Sequence, residues 1–166
     1  RYKLVDLPGT YSLLAASVDE EVARDFILFG QPDVTVIVVD ATRLERNLNL
    51  VLQVLEITDN AVVCLNLMDE ARRHKLVIDD RRLARDLGVP VVPTAARQNE
   101  GIPDLLQTVA NVASGEIVPR PHHIKSTHDN VLDNAVNQLV EQIESTFPGV
   151  PNARWVALRL LDGDAQ

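Results

Sequence analysis

Three short aliphatic runs constrain this chain more than anything else in it: Val34-Thr35-Val36-Ile37-Val38-Val39, Ala61-Val62-Val63-Cys64-Leu65 and Val89-Pro90-Val91-Val92. They are too short for independent helices, rich in β-branched residues and free of polar alternation. That is the pattern of strands buried on both faces. The first run reads as a central strand, and Pro90, which has no N–H for a ladder, puts the third at an edge.

Between the runs the period changes to that of a helix. Val22, Phe26, Ile27 and Phe29 recur at near-helical spacing behind a Ser17/Glu20 capping box, and Gly30 with Pro32 ends the segment. Leu48, Val51, Leu52 and Leu55 share a face of a second helix, stopped at Asp59-Asn60. Asp79 or Asp80 caps a third that runs through Leu87 to Gly88, and Pro103 lies in the first turn of a fourth reaching about Ala113. Strand and helix in alternation predict an α/β fold with a parallel sheet over residues 1–115.

The character changes after Ser114-Gly115. Pro119, Pro121, His122 and His123 make an irregular linker, taken as 116–127. An amphipathic helix follows, with Val131, Ala135, Leu139 and Ile143 in one row and Leu132, Val136 and Val140 beside it. Phe147-Pro148-Gly149 stops it, and Pro151 opens another helix with Trp155, Leu158 and Leu161. Residues 128–166 therefore read as the start of an all-helical appendage.

Composition narrows the function classes. Hydrophobic residues make up 46% and aromatic ones only 4%, so the core is aliphatic. A net charge of -8 gives a field that repels nucleic acid and anionic lipid, and no nucleic-acid partner is expected. One cysteine, Cys64, allows no disulfide within the chain, and no apolar stretch approaches the ~20 residues needed to cross a bilayer. His122, His123 and His128 offer imidazoles for a metal, but an exposed linker supplies no oriented surroundings, so they read as solvated.

The ends of the strands carry the chemistry. Tyr2, Leu4 and Val5 read as a further strand feeding Asp6-Leu7-Pro8-Gly9, a D-x-x-G turn. A carboxylate at Asp6 can hold Mg²⁺ through water, and Gly9 lets the backbone N–H approach a terminal phosphate. Asn66-Leu67-Met68-Asp69 follows the second aliphatic run. A carboxylate at Asp69 can accept both N1–H and N2–H₂ of guanine, whereas adenine leaves it unpaired. Asn66 can brace the loop and reach the base N7. Thr94-Ala95-Ala96 follows the last run, and the Ala96 N–H can donate to guanine O6. Each group falls at the carboxyl end of a successive parallel strand, where open α/β sheets bind ligands.

Taken with Thr10-Tyr11-Ser12-Leu13, Asp19-Glu20-Glu21-Val22-Ala23-Arg24-Asp25, Asp40-Ala41-Thr42 and Leu44-Glu45-Arg46-Asn47-Leu48, these motifs closely resemble the cytosolic G domain of bacterial ferrous-iron transport protein B, FeoB. The tail, with Arg154-Trp155 and Leu160-Leu161-Asp162-Gly163-Asp164, resembles that family's helical spacer, an internal inhibitor of GDP release. The resemblance implies a GTPase-like parallel sheet lacking its P-loop strand, followed by the helical appendage. It implies GTP/GDP and Mg²⁺ as cofactors, with Asp6 and Gly9 at the phosphate and Mg²⁺ end and Asn66, Asp69, Ala95 and Ala96 at the base. The membrane part of a transporter follows as partner, a homo-oligomer is an open option, and the location is the cytoplasmic face of the bacterial inner membrane.

Three departures from the family pattern carry expectations of their own. Leu67 replaces the usual Lys, which predicts weaker binding and faster exchange. Thr10 stands where many GTPases keep a water-orienting Gln, so Thr10 is a weak catalytic candidate and intrinsic hydrolysis is slow. No G-x-x-x-x-G-K-[ST] cradle or switch I Thr occurs in the chain, which predicts an excerpt of a longer protein beginning just before switch II and nearly inactive alone. Without the P-loop strand, two inner strands lose their shared neighbour. A soluble ribosome-assembly-type GTPase would want a basic RNA-binding appendage, and a degenerate G-like interaction module would want no working nucleotide site.

Overall fold

A computed structural model describes residues 2–13, 17–122 and 130–161. They divide into two compact units, 1–122 and 123–166. In the first unit, helix α1 (Val18–Phe29) starts at the expected cap: Ser17 is extended and its Oγ accepts from the Glu20 N–H at 3.3 Å. That satisfies one of the amides a helix start leaves without a partner. The buried residues on α1 are Ala23, Ile27 and Leu28, whereas Val22 and Phe29 are exposed. The inner face is thus narrower than the apolar spacing suggested and is built around an alanine.

Strands β1 (Thr35–Asp40), β2 (Ala61–Asn66) and β3 (Val91–Pro93) form a parallel sheet in the order β1-β2-β3. Thr35 lies opposite Ala61 and Asp40 opposite Asn66, while Leu65 lies opposite Pro93. This register aligns the carboxyl ends of the strands. All of 61–65 is buried, as a strand covered on both faces requires. Pro93 ends the short edge strand β3 after only three residues.

Helix α2 (Leu44–Ile57) returns the chain from β1 to β2. Asp40 shapes its entry, since Oδ1 accepts from both the N–H and the hydroxyl of Thr42 at 2.7 Å, so the helix starts ahead of the apolar face that announced it. Its buried residues are Val51, Val54, Leu55 and Ile57, and Leu48 and Leu52 are only half-buried. A six-residue helix α3 (Met68–Arg73) follows β2. It is too short to show a period, and the sequence reading missed it. Helix α4 (Asp80–Leu87) is capped by Asp79, whose Oδ1 accepts from the Arg82 N–H at 2.9 Å. Helix α5 (Ile102–Ala113) places Val112 in a cluster with Val62 and Val92, joined by Val34, Leu105, Val109 and Ile117.

Residues 117–122 are irregular yet hydrogen bonded to this unit. The Arg120 N–H donates to Gly88 O at 2.8 Å and the His122 N–H to Leu87 O at 3.0 Å. Gly88 has φ +75°, and a Cβ there would meet Arg120 O at 1.9 Å, so only glycine fits beneath the strap.

Two strand expectations are corrected. Residues 2–5 form no strand: Tyr2 and Leu4 are 78% and 92% exposed. A strand is stable only when a neighbour accepts its backbone groups, and none lies beside this segment among the described residues. Among the described residues β1 likewise pairs on one side only, with β2, and so lies at the edge of the sheet rather than at its centre. Ile37 and Val39 are buried, while Val36 and Val38 on the alternate face are exposed.

In the second unit, α6 (Asn130–Thr146) and α7 (Ala153–Leu161) form a helical pair. Val136, Ile143, Ala153 and Ala157 are its buried centre, with Leu139, Val140, Val150, Val156 and Leu158 packed around them. Asn152 Oδ1 accepts from the Trp155 N–H at 3.2 Å at the start of α7, a role the sequence reading gave to Pro151. Among the described residues no helix is long and apolar enough to cross a membrane. Residues 123–129 and 162–166, with His123, His128 and Asp162-Gly163-Asp164, lie outside the described residues.

Candidate functional site

The second and third motifs meet at the carboxyl ends of β2 and β3. Asn66 closes β2, and Leu67 then turns the chain in the left-handed region (φ 64°, ψ 30°) into α3, with Asp69 in the first turn. The turn is tied to β3 through the Met68 N–H, which donates to Thr94 O at 3.1 Å, and the Thr94 N–H, which donates to Leu65 O at 2.8 Å. Thr94 is fully buried, and its hydroxyl donates to Asn66 Oδ1 at 3.2 Å and lies 3.3 Å from Cys64 Sγ. The thiol therefore belongs to the site's support, not to its surface.

Asn66 Oδ1 also accepts from the Ala96 N–H at 3.1 Å. This is the bracing contact that the asparagine at this place is suited to make. It also engages the N–H expected to reach guanine O6, while Asn66 Nδ2 has no protein hydrogen bond among the described residues. Ala95 is buried and pairs with Glu100 in an antiparallel bridge, its N–H donating to Glu100 O at 3.0 Å. Ala95 therefore acts through the loop's shape. Asp69 Oδ2 accepts from Gln98 Nε2 at 3.0 Å, and Oδ1 carries no protein hydrogen bond among the described residues. One carboxylate oxygen is thus oriented by Gln98, with the Arg73 guanidinium 4.0 Å from it, and the other carries no protein hydrogen bond.

Four residues of this neighbourhood were not singled out from sequence. Gln98 orients Asp69. Arg72, one turn along α3, donates two parallel hydrogen bonds to Glu100 at 2.9 and 2.6 Å. The hydrogen bonds from Arg72 hold the Glu100 carboxyl below its ordinary range, and those to Glu100 raise the guanidinium. Gly101 (φ +74°) closes the loop where a Cβ would meet Pro93 O at 2.2 Å. Only Gly101, a glycine just ahead of a proline-marked helix start, left a signal in the sequence.

The residues of the D-x-x-G segment are arranged differently. Asp6 is exposed in irregular chain, and Gly9 has open space where a Cβ would go. The Thr10 hydroxyl accepts from the Ser12 N–H at 3.1 Å and donates to Ser12 O, so it is turned into its own loop. Gln53 Oε1 on α2 accepts from the Leu13 N–H at 2.7 Å and from the Ser12 hydroxyl at 3.2 Å, and the Arg46 guanidinium sits 4.5 Å from the Tyr11 ring centroid. This anchors 11–13 to α2. Among the described residues no hydrogen bond or ion pair joins Asp6, Gly9 or Thr10 to Asn66, Asp69 or the 94–101 loop. The structure joins Asn66, Asp69 and the 94–101 loop and leaves Asp6, Gly9 and Thr10 apart from them among the described residues.

The family model for ferrous iron transport protein B matches residues 1–109. The chain belongs to this family. Among curated relatives, the Fe(2+) transporter FeoB of Escherichia coli K12 is 37% identical over 165 residues, which is 97% of this chain and 21% of that protein. The chain therefore spans about a fifth of the length of the FeoB relatives it matches. Among solved structures, the cytosolic domain of the T. maritima FeoB iron transporter in a GDP form superposes with a TM-score of 0.85 at 31% identity, covering 97% of this chain and 62% of that one. Its GMPPNP form gives a TM-score of 0.85 at 30% identity, with 98% and 63% covered. The mixed α/β architecture with a parallel sheet is that of the FeoB cytosolic domain.

Proposed function

We propose that this chain is the guanine-nucleotide-responsive part of a ferrous-iron transporter, in which GTP binding and slow hydrolysis regulate iron uptake through a membrane domain. The observation that carries it is the built base end: Asn66 braced on the Ala96 loop, with Asp69 beside it holding one oriented and one open carboxylate oxygen. Relatives solved in GDP and GMPPNP forms support the ligand class.

The residues at hand fit the nucleotide unequally. At the base, Asp69 supplies the acceptor, Asn66 Nδ2 the donor to N7, and the 95–96 backbone the donor to O6 after the Asn66–Ala96 contact is shared or exchanged. At the other end, Asp6 is an exposed lone carboxylate. A hard cation takes six oxygens, so Asp6 fits Mg²⁺ only as a partner reached through water. When bound, Mg²⁺ would neutralise phosphate charge, and Gly9 would offer its N–H beside it. Thr10, closed onto Ser12, supports slow hydrolysis. In this reading the 6–18 segment is the switch ordered by the phosphate end, residues 128–166, which include α6 and α7, are the start of the regulatory domain, and the chain works at the cytoplasmic face of the inner membrane, with self-association of the transporter as a further part.

Titration of the intact protein with fluorescent GDP tests the reading. Saturable binding is expected, with Asp69→Asn losing GDP and gaining the xanthine nucleotide, whose C2 oxygen matches an amide donor. Absence of binding, or equal GDP affinity in Asp69→Asn, points instead to a G-like module that serves only as an interaction surface.

A further inference from the structure

We propose that the Arg72–Glu100 ion pair is a positioning clamp that keeps the 95–101 loop in its base-receiving shape and so sets how long a guanine nucleotide stays bound. The proposal rests on the guanine reading of Asn66 and Asp69 above. Three side-chain ties hold the loop to the β2–α3 turn: Ala96 to Asn66, Gln98 to Asp69 and Glu100 to Arg72. The first two use groups that a guanine base also engages, the Ala96 N–H and the Asp69 carboxylate. When a base arrives, those ties are shared with it. Arg72–Glu100 touches no atom assigned to the ligand and persists in both states.

The geometry suits that duty. Arg72 is three residues after Asp69 on the same short helix, so the guanidinium and the base-reading carboxylate move together. At the other end Glu100 forms the bridge with Ala95, so fixing Glu100 fixes the backbone that leads to Ala96. Between these points the loop passes through a left-handed Asn99 (φ 57°). Leu67 adds no polar tie of its own. A solvent-exposed pair contributes little to overall stability, but a two-point fork constrains geometry as well as attracting charge. Here 54% and 47% of the two side chains are exposed, so the effect belongs to the loop's opening rate and not to global folding.

The intact protein, loaded with fluorescent GDP and chased with excess GDP, gives the release rate. Arg72→Ala and Glu100→Ala are expected to release roughly 3- to 5-fold faster, the upper part of the range of an exposed ion pair, with little change in melting temperature. Glu100→Gln, which keeps the shape and loses the charge, is expected to fall between and serves if an alanine variant folds poorly. The exchanged pair Arg72→Glu/Glu100→Arg is expected to return within about twofold of the parent. Parent-like release in the single variants, or release in the exchanged pair as fast as in the singles, overturns the clamp. If the parent binds no fluorescent GDP, the guanine reading fails by itself, and amide exchange decides the clamp. Faster exchange at Ala96, Gln98 and Asn99 in the single variants, restored in the exchanged pair and with the β2 amides unchanged, supports it. Unaltered exchange there overturns it.

Discussion

Replacing Gly101 by alanine separates two reasons for a glycine that sequence cannot tell apart. Gly101 and Gly115 have nearly the same backbone angle, φ +74° and +76°. An added Cβ at Gly115 meets nothing within 4 Å, whereas at Gly101 it lies 2.2 Å from Pro93 O and 3.2 Å from Thr94 Cα. The left-handed conformation alone costs an L-residue about 1 kcal/mol relative to glycine. At Gly101 the backbone must also retreat by roughly 1 Å to restore an ordinary contact. That retreat pulls apart the Ala95–Glu100 bridge, whose N–H groups donate at 3.0 and 3.3 Å. Each such bond contributes about 1 kcal/mol net. Gly101→Ala should therefore destabilise by about 3 kcal/mol and Gly115→Ala by about 1 kcal/mol. Urea unfolding with the slope unchanged reads both as shifts in midpoint. Equal shifts would refute the argument, because the angle alone would then explain both glycines.

Two further outcomes follow from burial and from charge. Leu65 is fully buried in the central strand, so Leu65→Ala should lower stability by about 2–5 kcal/mol in the same unfolding assay. Glu100 is held below its unbound value near 4.5, so the stabilisation it brings is present above that pH and is lost as the pH falls through the lower, folded-state value. The ratio of amide exchange rates at Ala96, Gln98 and Asn99 between Glu100→Gln and the parent should fall toward one on going from about pH 6 to about pH 3, and Arg72→Ala should remove that dependence.

What the sequence made legible was whatever is decided within a few residues. Ser17 caps α1 because its hydroxyl reaches an amide three residues on, and Asp79 does the same for α4. The 61–65 run is buried on both faces, and that alone makes it the middle of a sheet. Strands whose character depends on a neighbour were misjudged. Tyr2, Leu4 and Val5 have a strand's composition, but among the described residues no adjacent backbone answers them, and Val36 and Val38 are exposed for the same reason. At the site, Asn66 and Asp69 carried their motif, whereas Arg72, Gln98 and Glu100 are ordinary surface residues until the sheet brings them within reach. Charge and amide groups separated by such spacings form no pattern in a linear reading.

The left-handed turn at Leu67 has a consequence for the order in which the protein is assembled. A leucine does not hold that backbone angle unaided, since it lies about 1 kcal/mol or more above the right-handed region. The turn persists because Met68 and Thr94 donate across to and from β3. The contacts that shape this turn and the 94–101 loop span 28 to 30 residues, from Asn66 to Thr94 and Ala96, from Asp69 to Gln98 and from Arg72 to Glu100. Contacts of that length require loop closure before they return any stabilisation. The Asn66–Asp69 turn is therefore expected to take shape late in folding and to be lost early in unfolding: when β3 frays from β2, Leu67 relaxes and these ties break while β1 and β2 still pair.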